Sequence, residues 1–567
     1  MLAWIMAGLM VGPLLYILVT LFTPRLAGVE DYQFGARRLN PADVVDSSIM
    51  YGLQVAAIAL FATWGYIYGL AALIVPIFWI AGYFLFSWAL SDTFLQRFAA
   101  DTAFRTLHGF LADHNKARSV CITAALMTLV GLAGPAMFEA FTVGRSIAAS
   151  VPSWSPASGA GLALAFLFVS LVYMIRSGFP GVVRLDQLQM TIGYGGFCAA
   201  FSGALILFLE RVGAGFALWV SLSGLLAASV IAILKVRYDL EVRRYLKDFD
   251  PKTGPRTTAD FLGITSILVG IISFGLSAAA SYRALGSAPL SPDLITFASS
   301  QFSFGFTLLA TVSLFIANAL YQFVDVTQWQ RLLSLAVDNS DLKAAAKILR
   351  GNVITGGVCS GMTWVIAVLF GVFLGQLLPG SDAYSLLSSF LKMVGTLPSA
   401  HAGILAFVFV AALVGIMFST LDSLVAATSF TIQQDILGGF GGQHALLVAR
   451  FVTVIVVAIQ LAFYLAISAL ANDRVDAVLY ICWSFQLAMV PIVVGLVIGR
   501  GGAHIARTLA MIVGCLGALT PLAIGSAEAA YELSPWLAVG TSSLVYLALG
   551  GWRRRPALTD TAAGAAL

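Results

Sequence analysis

Charge is what this chain of 567 residues has least of: Asp, Glu, Lys and Arg together make up 10%, against roughly 25% in ordinary soluble domains. Hydrophobic residues reach 60% and the mean hydropathy is +0.93. A soluble fold cannot hide that much apolar surface, so the chain belongs in lipid. The net charge of +4 sits in loops between apolar runs, without an aromatic-interleaved basic groove, which argues against nucleic acid as a partner. Cysteine is sparse and odd in number: Cys121, Cys198, Cys359, Cys482 and Cys515 lie in apolar segments with no CxxC spacing, as small buried hydrophobes do. The five histidines fall in loops or at span ends without an HExxH pattern, and no GxxxxGK[ST] loop is present. A metalloenzyme and a self-contained ATP-driven pump are thereby disfavoured. No nucleophile, base and stabiliser can be assembled from polar residues inside the spans, so the chain is not read as an enzyme and no organic cofactor is expected.

What the chain does have is apolar runs. Windows of about 20 residues, enough to cross a bilayer core, lie near 2–23, 43–69, 71–90, 119–147, 159–177, 183–210, 214–236 and 260–282. Others follow near 303–325, 351–378, 401–434, 447–471, 475–497, 506–525 and 534–551. They predict an all-α polytopic membrane protein with about 15 transmembrane spans. Leu2 to Phe22 has no basic residue before it and no obvious small-residue cleavage site, so it reads as a retained first span. With the N-terminus outside, 26 of the 31 basic residues fall in inside loops, leaving Arg145, Arg211, Arg283, Lys392 and Arg474 outside. That bias supports the span count and puts the tail, 553–567, in the cytoplasm. The largest inside segments, 91–118 and 236–260, have room for short amphipathic helices such as FRTLHGFLADH, polar side facing solvent.

One apolar run carries an anomaly. In GIMFSTLDSLVAATSFTIQQD, Gly415 to Asp435, Ser419, Thr420, Asp422 and Ser423 fall within about a turn and a half of helix. A carboxylate at membrane depth costs at least about 2.5 kcal/mol, so Asp422 needs a partner, and a small hard cation would suit the whole cluster.

Four segments together resemble the sodium:solute symporter family over about residues 34–500. FGARRLNP (34–41) looks like the loop before its first core helix, and GFPGVVRLDQLQ (178–189) like the opening of its fifth. FVDVTQWQR (323–331) is similar to the cytoplasmic end of its sixth, and the Gly415 stretch to its eighth. The resemblance implies a solute carrier 5-like, leucine-transporter-like fold: two inverted five-helix repeats with substrate and ions near the midplane. On this mapping 1–23 is an extra N-terminal helix, 43–210 the first repeat, 300–500 the second, and 501–552 two C-terminal helices. The segment 211–285 is an inserted helical hairpin, either a peripheral element touching lipid or neighbouring subunits, or structural padding.

The resemblance also implies a sodium site. Ser419 and Thr420 match the family's hydroxyl pair, with the carbonyl of Ile416 one turn earlier and carbonyls near Met50 and Leu53 on core helix one. Such neutral dipoles replace part of sodium's water shell without holding it too tightly to leave. Some members carry a second site, onto which Asp186, Asp422 and Ser423 map. Asp422 stands where those members have a hydroxyl, so the pair of carboxylates either binds a second cation or couples to protons. Asp186 alternatively pairs with Arg184 or caps its helix.

The solute pocket is less legible. Its candidates are Gln54, Glu139, Asn318, Tyr321, Gln322, Trp483, Ser484 and Gln486. Arg145 either pairs with a substrate carboxylate, snorkels, or binds Glu139. So few polar anchors favour a small monocarboxylate or amino acid as the partner. The expected function is Na+-coupled import of a small organic solute across the cell membrane, the bacterial inner membrane. The alternatives are proton coupling, or a transporter-like sensor that signals through a partner protein.

Overall fold

The computed structural model describes residues 1–22, 26, 28–35, 38–91, 94–95, 106–112, 117–249, 257–286, 306–337, 340–439, 444–471, 474–498, 500–526 and 529–552. Among these the regular elements are helices throughout, and twelve helical stretches are long and apolar enough to cross a membrane. Hydrocarbon offers backbone N–H and C=O groups no partner, so spanning segments must satisfy them internally, as helices do.

In chain order, α1 (Leu2–Phe22) and the short α2 (Val29–Phe34) lead to an interrupted pair, α3 (Pro41–Gly52) and α4 (Val55–Tyr68). Then come α5 (Ile74–Ala89), the short α6 (Leu107–Leu111) and α7 (Arg118–Ser150). The next helix, α8 (Pro156–Gln189), passes through a π-helical turn over Met190–Gly195 into α9 (Gly196–Leu207). This 52-residue stretch would measure about 78 Å if straight, more than twice a bilayer core of about 30 Å. Gly178 breaks it: its φ is 57°, and a Cβ there would stand 2.4 Å from the carbonyl oxygen of Tyr32, so both backbone and space call for glycine.

The short α10 (Leu209–Val212) precedes a hairpin, α11 (Ala214–Phe249) and α12 (Thr257–Leu285). A second interrupted pair follows: α13 (Leu308–Phe315) continues through a π-helical turn and a 3-10 turn to Phe323, and α14 (Val326–Ser334) resumes beyond Val324 and Asp325. The remainder is α15 (Leu342–Leu377), α16 (Leu386–Val394), α17 (Ser399–Thr431), α18 (Ala445–Leu470), α19 (Val475–Leu487), α20 (Val490–Val497), α21 (His504–Ala523) and α22 (Ala530–Ala548).

The core lies around α17, where every residue from Phe409 to Thr431 is buried. A helix covered on all sides has neighbours all round, and α1, α7, α8 and α9 all pack on it. The hairpin is fastened to this core. On α11, Lys235 Nζ lies 3.1 Å from Asp46 Oδ1 of α3 and 2.6 Å from Asp239, with all three side chains buried. The basic segment expected as a loop at 236–260 is, as far as Phe249, a continuation of α11.

One expectation is corrected. Around FRTLHGFLADH the described helix is only Leu107–Leu111, and His108 does not face solvent. Its Nδ1 lies 2.8 Å from Asp435 Oδ2 and its Nε2 2.9 Å from Thr128 Oγ1, and the ring is fully buried. The tail 553–567 lies outside the described residues, as do Arg25, Arg37, Arg97, Arg105, Lys116, Lys252 and Arg256.

Candidate ion and solute site

The break between α3 and α4 has a cause outside its own sequence. Gln54 takes φ −39° and ψ 140°, which leaves the first N–H groups of α4 without intrahelical acceptors, and its side chain does not cap them. Glu139 of α7 does: its Oε2 accepts from Val55 N–H at 2.9 Å and its Oε1 from Ala56 N–H at 3.1 Å. A carboxylate at a helix N-terminus also meets the positive end of the helix dipole. On the other side of the break, the carbonyl of Gly52 accepts from the indole N–H of Trp364. Glu139 is therefore committed to backbone, and Arg145 does not pair with it; that guanidinium lies over the Phe141 ring, 5.9 Å from the centroid.

Beside this break the hydroxyl pair of α17 comes close to α3. A Cβ at Gly193, in the π-helical turn, would stand 2.9 Å from both Ile416 Cγ1 and Met50 Cε, so a missing side chain brings these two residues together. Met50, Leu53, Ile416, Ser419 and Thr420 are all buried. Ser419 Oγ donates to Asp186 Oδ1 at 2.5 Å. Among the described residues Thr420 Oγ1 and Asp186 Oδ2 are buried without a hydrogen-bond partner at bonding distance, and the Ser47 hydroxyl and Arg331 guanidinium lie near the Asp186 carboxylate. Hydroxyl and carboxylate oxygens left bare in this way suit an alkali cation, which needs oxygen ligands and no proton.

The other residues of the cluster are occupied. Asp422 Oδ2 accepts from Tyr16 OH of α1 at 2.5 Å, and its Oδ1 accepts from Ser170 Oγ of α8. Ser423 Oγ accepts from Arg331 Nη2 at 2.9 Å. The same guanidinium reaches Ser47 Oγ at 3.1 Å and lies over Tyr51, 4.8 Å from its ring centroid. Asp422 is thus hydrogen-bonded to Tyr16 and Ser170, Ser423 to Arg331, and Asp186 to Ser419.

The solute-pocket candidates fall into two groups. Asn318, Tyr321 and Gln322 lie on the irregular turns after α13 and meet α19. Tyr321 packs against Trp483 at 5.8 Å between centroids, and Gln486 Nε2 donates to Tyr321 OH at 3.1 Å. Ser484 Oγ turns back to the carbonyl of Tyr480 at 2.6 Å. Gln54 is buried at the α3–α4 break, while Glu139 serves that break as its cap. Asn318 Nδ2 and Gln322 Nε2 donate to the carbonyls of Leu314 and Asn318, at 2.8 and 3.1 Å, and among the described residues their side-chain oxygens have no hydrogen-bond partner.

A polar layer at one end of the core is absent from the sequence reading. Gln434 Nε2 donates to Gln33 Oε1 at 2.5 Å, Gln33 Nε2 donates to Gln433 Oε1, and Gln330 Nε2 donates to the carbonyl of Gln33 at 2.7 Å. Leu39 and Leu335 form an isolated parallel bridge next to it. The two flanking motifs, FGARRLNP and FVDVTQWQR, were visible as motifs; that they meet was not.

The sequence matches no protein-family model. It also matches no curated protein. The structure does have a counterpart: the substrate-bound outward-open state of a Na+-coupled sialic acid symporter, a structure said to reveal a novel Na+ site. The two share a TM-score of 0.63 and 14% sequence identity over 98% of each chain. At that identity the likeness establishes the fold alone, that of a polytopic helical membrane protein.

Proposed function

We propose that this protein is a sodium-coupled secondary active symporter that imports a small organic solute, a monocarboxylate or an amino acid, by alternating access. The observation that carries the reading is the pair of bare oxygens, Thr420 Oγ1 and Asp186 Oδ2, flanking Ser419 beside the broken helix α3–α4. Leaving a buried polar atom unsatisfied costs about 1–3 kcal/mol, and a bound sodium ion relieves it. In this reading sodium is a co-substrate held by Ser419, Thr420 and the carbonyls of Ile416, Met50 and Leu53, with Asp186 alongside. Asp422 and Ser423, already hydrogen-bonded, stay outside that shell. The solute occupies the space between the α3–α4 break and the irregular turns after α13.

The same reading assigns the topology. Dividing Val55–Ala89 at Gly69 and Pro156–Leu207 at Gly178, and adding α22, raises the twelve stretches to fifteen passes. The N-terminus is then outside and the protein is a multi-pass component of the bacterial inner membrane. The repeats are 43–210 and 300–500, related by inversion.

The test is uptake of a radiolabelled panel of monocarboxylates and amino acids into proteoliposomes holding the full-length chain. Accumulation that needs an inward sodium gradient, and that a proton gradient does not replace, supports the proposal. No accumulation of any solute, or uptake untouched by Ser419→Ala with Thr420→Ala, overturns it.

A further inference from the structure

Helix α11 of the hairpin borders a groove lined by none of the ion- or solute-site candidates. Between α11 and the start of α15 lies an open groove of about 810 Å³. Its floor is apolar, with Ile233, Val236 and Leu240 exposed at 66%, 40% and 49%. Arg237 and Arg244 on α11 and Lys347 on α15 line the same groove.

The position of the groove relative to the bilayer follows from α11 itself. From Ala214 to Leu234 the helix carries no charge, a length of about 31 Å at 1.5 Å per residue, which matches a hydrocarbon core of about 30 Å. Charges begin at Lys235. The apolar floor therefore sits at the edge of the hydrocarbon, and Arg237 and Arg244 sit at the level of the lipid phosphates.

The charges do not cancel within the protein. Lys347 Nζ pairs with Glu241 at 2.5 Å, and Glu241 is the acidic residue of the lining. Arg237 and Arg244 are exposed and make no ion pair among the described residues. Two residual positive charges over an apolar floor complement a ligand with a negative head and a hydrocarbon body.

We propose that this groove is a binding site for an anionic glycerophospholipid, whose phosphate lies between Arg237 and Arg244 and whose acyl chain lies along Ile233, Val236 and Leu240. Basic pockets between transmembrane helices recognise lipid headgroups by this chemistry. A soluble anion would leave the floor bare, and a zwitterionic lipid would bring a quaternary ammonium that the two guanidinium groups repel. The site does not depend on the transport reading. Its helix also carries Lys235, the partner of Asp46 on α3, so a lipid here braces the hairpin against the core.

Native mass spectrometry of the delipidated full chain, titrated with phosphatidylglycerol or with phosphatidylcholine of the same acyl chains, tests the proposal. Phosphatidylglycerol is expected to be retained at a roughly tenfold lower concentration. Arg237→Gln with Arg244→Gln abolishes that preference, and Arg237→Lys with Arg244→Lys keeps most of it. Equal retention of the two lipids by the wild type, or an undiminished preference in the glutamine variant, overturns the site. Binding of glycerol 3-phosphate alone at the same concentration also overturns it, because the floor would then contribute nothing. Should the glutamine variant unfold, the lysine variant and the wild-type lipid comparison still decide.

Discussion

Glu139 and Val55 are joined carboxylate to backbone, 2.9 Å from Oε2 to the amide nitrogen, across a separation of 84 residues. The carboxylate supplies the cap that α4 lacks, and it holds open the break beside which the proposed ion site lies. Glu139→Gln removes one charged acceptor and turns an amide N–H toward a backbone N–H. Hydrogen bonds to charged groups contribute about 1.5–3 kcal/mol each, so the variant loses about 2 kcal/mol of stability and its maximal uptake rate falls about tenfold. The solute KM stays within about threefold, because the carboxylate faces backbone rather than solute. Uptake kinetics set beside thermal unfolding check this; a large KM rise without loss of stability would place Glu139 against the solute.

Lys235 balances two buried carboxylates at once, Asp46 on α3 and Asp239 on its own helix. Removing one member of a buried ion cluster strands the others, which costs about 3–5 kcal/mol. Lys235→Met therefore lowers the unfolding temperature sharply. Adding Asp46→Asn and Asp239→Asn recovers most of the loss, since no unpaired charge then remains buried. If Lys235→Met alone is harmless in a detergent melting assay, the hairpin is not held by this triad.

Tyr16 donates to Asp422 while stacking on Tyr173, with centroids 4.4 Å apart and planes 11° apart. Tyr16→Phe keeps the stack and deletes the hydrogen bond, at a cost of about 2 kcal/mol. Because both oxygens of Asp422 are held by hydroxyls, Asp422→Asn shifts the sodium concentration for half-maximal uptake by no more than about threefold. Asp186→Asn, at a residue with one bare oxygen, shifts it by about tenfold or more. Sodium titrations of uptake by the two variants compare them directly, and the reverse order would move the cation to Asp422.

The helices are legible in the sequence because hydrocarbon imposes one pattern on every span, and Ser419 and Thr420 stand out as candidates because they are hydroxyls in an apolar run. Composition and hydropathy do not show where helices break; the resemblance alone points to Met50 and Leu53. Leu53 and Gln54 are neither proline nor glycine, and the residue that stabilises their conformation, Glu139, is distant in sequence. Asp325 could have been read: its side chain caps α14 by accepting from Thr327 N–H at 3.0 Å, and Asp ahead of an apolar-periodic run is a helix-start signal. His108 was misplaced because amphipathic patterning assigns polar residues to water, whereas its partner Asp435 comes from the π-helical turn Ile432–Ile436 that follows α17. The apolar windows 43–69 and 159–177, by contrast, end beside the positive-φ residues Gly69 and Gly178.

Ser419 and Thr420 separate two roles within the same turn. Ser419 orients the Asp186 carboxylate, while Thr420 presents a buried hydroxyl oxygen with no partner of its own. Thr420→Val is nearly isosteric and removes that ligand alone. It raises the half-maximal sodium concentration about tenfold, corresponding to about 1.4 kcal/mol, without a loss of thermal stability measured in sodium-free buffer. Thr420→Ser restores the oxygen and returns sodium dependence toward the wild-type value. A valine variant with unchanged sodium activation would leave Thr420 as packing.

The solute contacts can be narrowed by asking which polar atoms are already spent. Asn318 and Gln322 both commit their N–H groups to backbone carbonyls, which fixes the amide orientations and leaves Asn318 Oδ1 and Gln322 Oε1 as acceptors. Asp325 Oδ2, a few residues on, is a third buried acceptor without a hydrogen-bond partner among the described residues. Three acceptors on one irregular segment call for a ligand rich in donors, and a site built to accept hydrogen bonds rejects an analogue that lacks them because its own groups are then left unpaired. Among the proposed solutes this favours an amino acid, whose ammonium group offers three N–H donors, over the monocarboxylate that differs only by lacking it. In competition uptake an amino acid should outcompete its deaminated analogue by about 100-fold or more. Gln322→Leu should narrow that ratio to within about tenfold; equal competition by the two in the wild-type protein would remove this segment from the solute site.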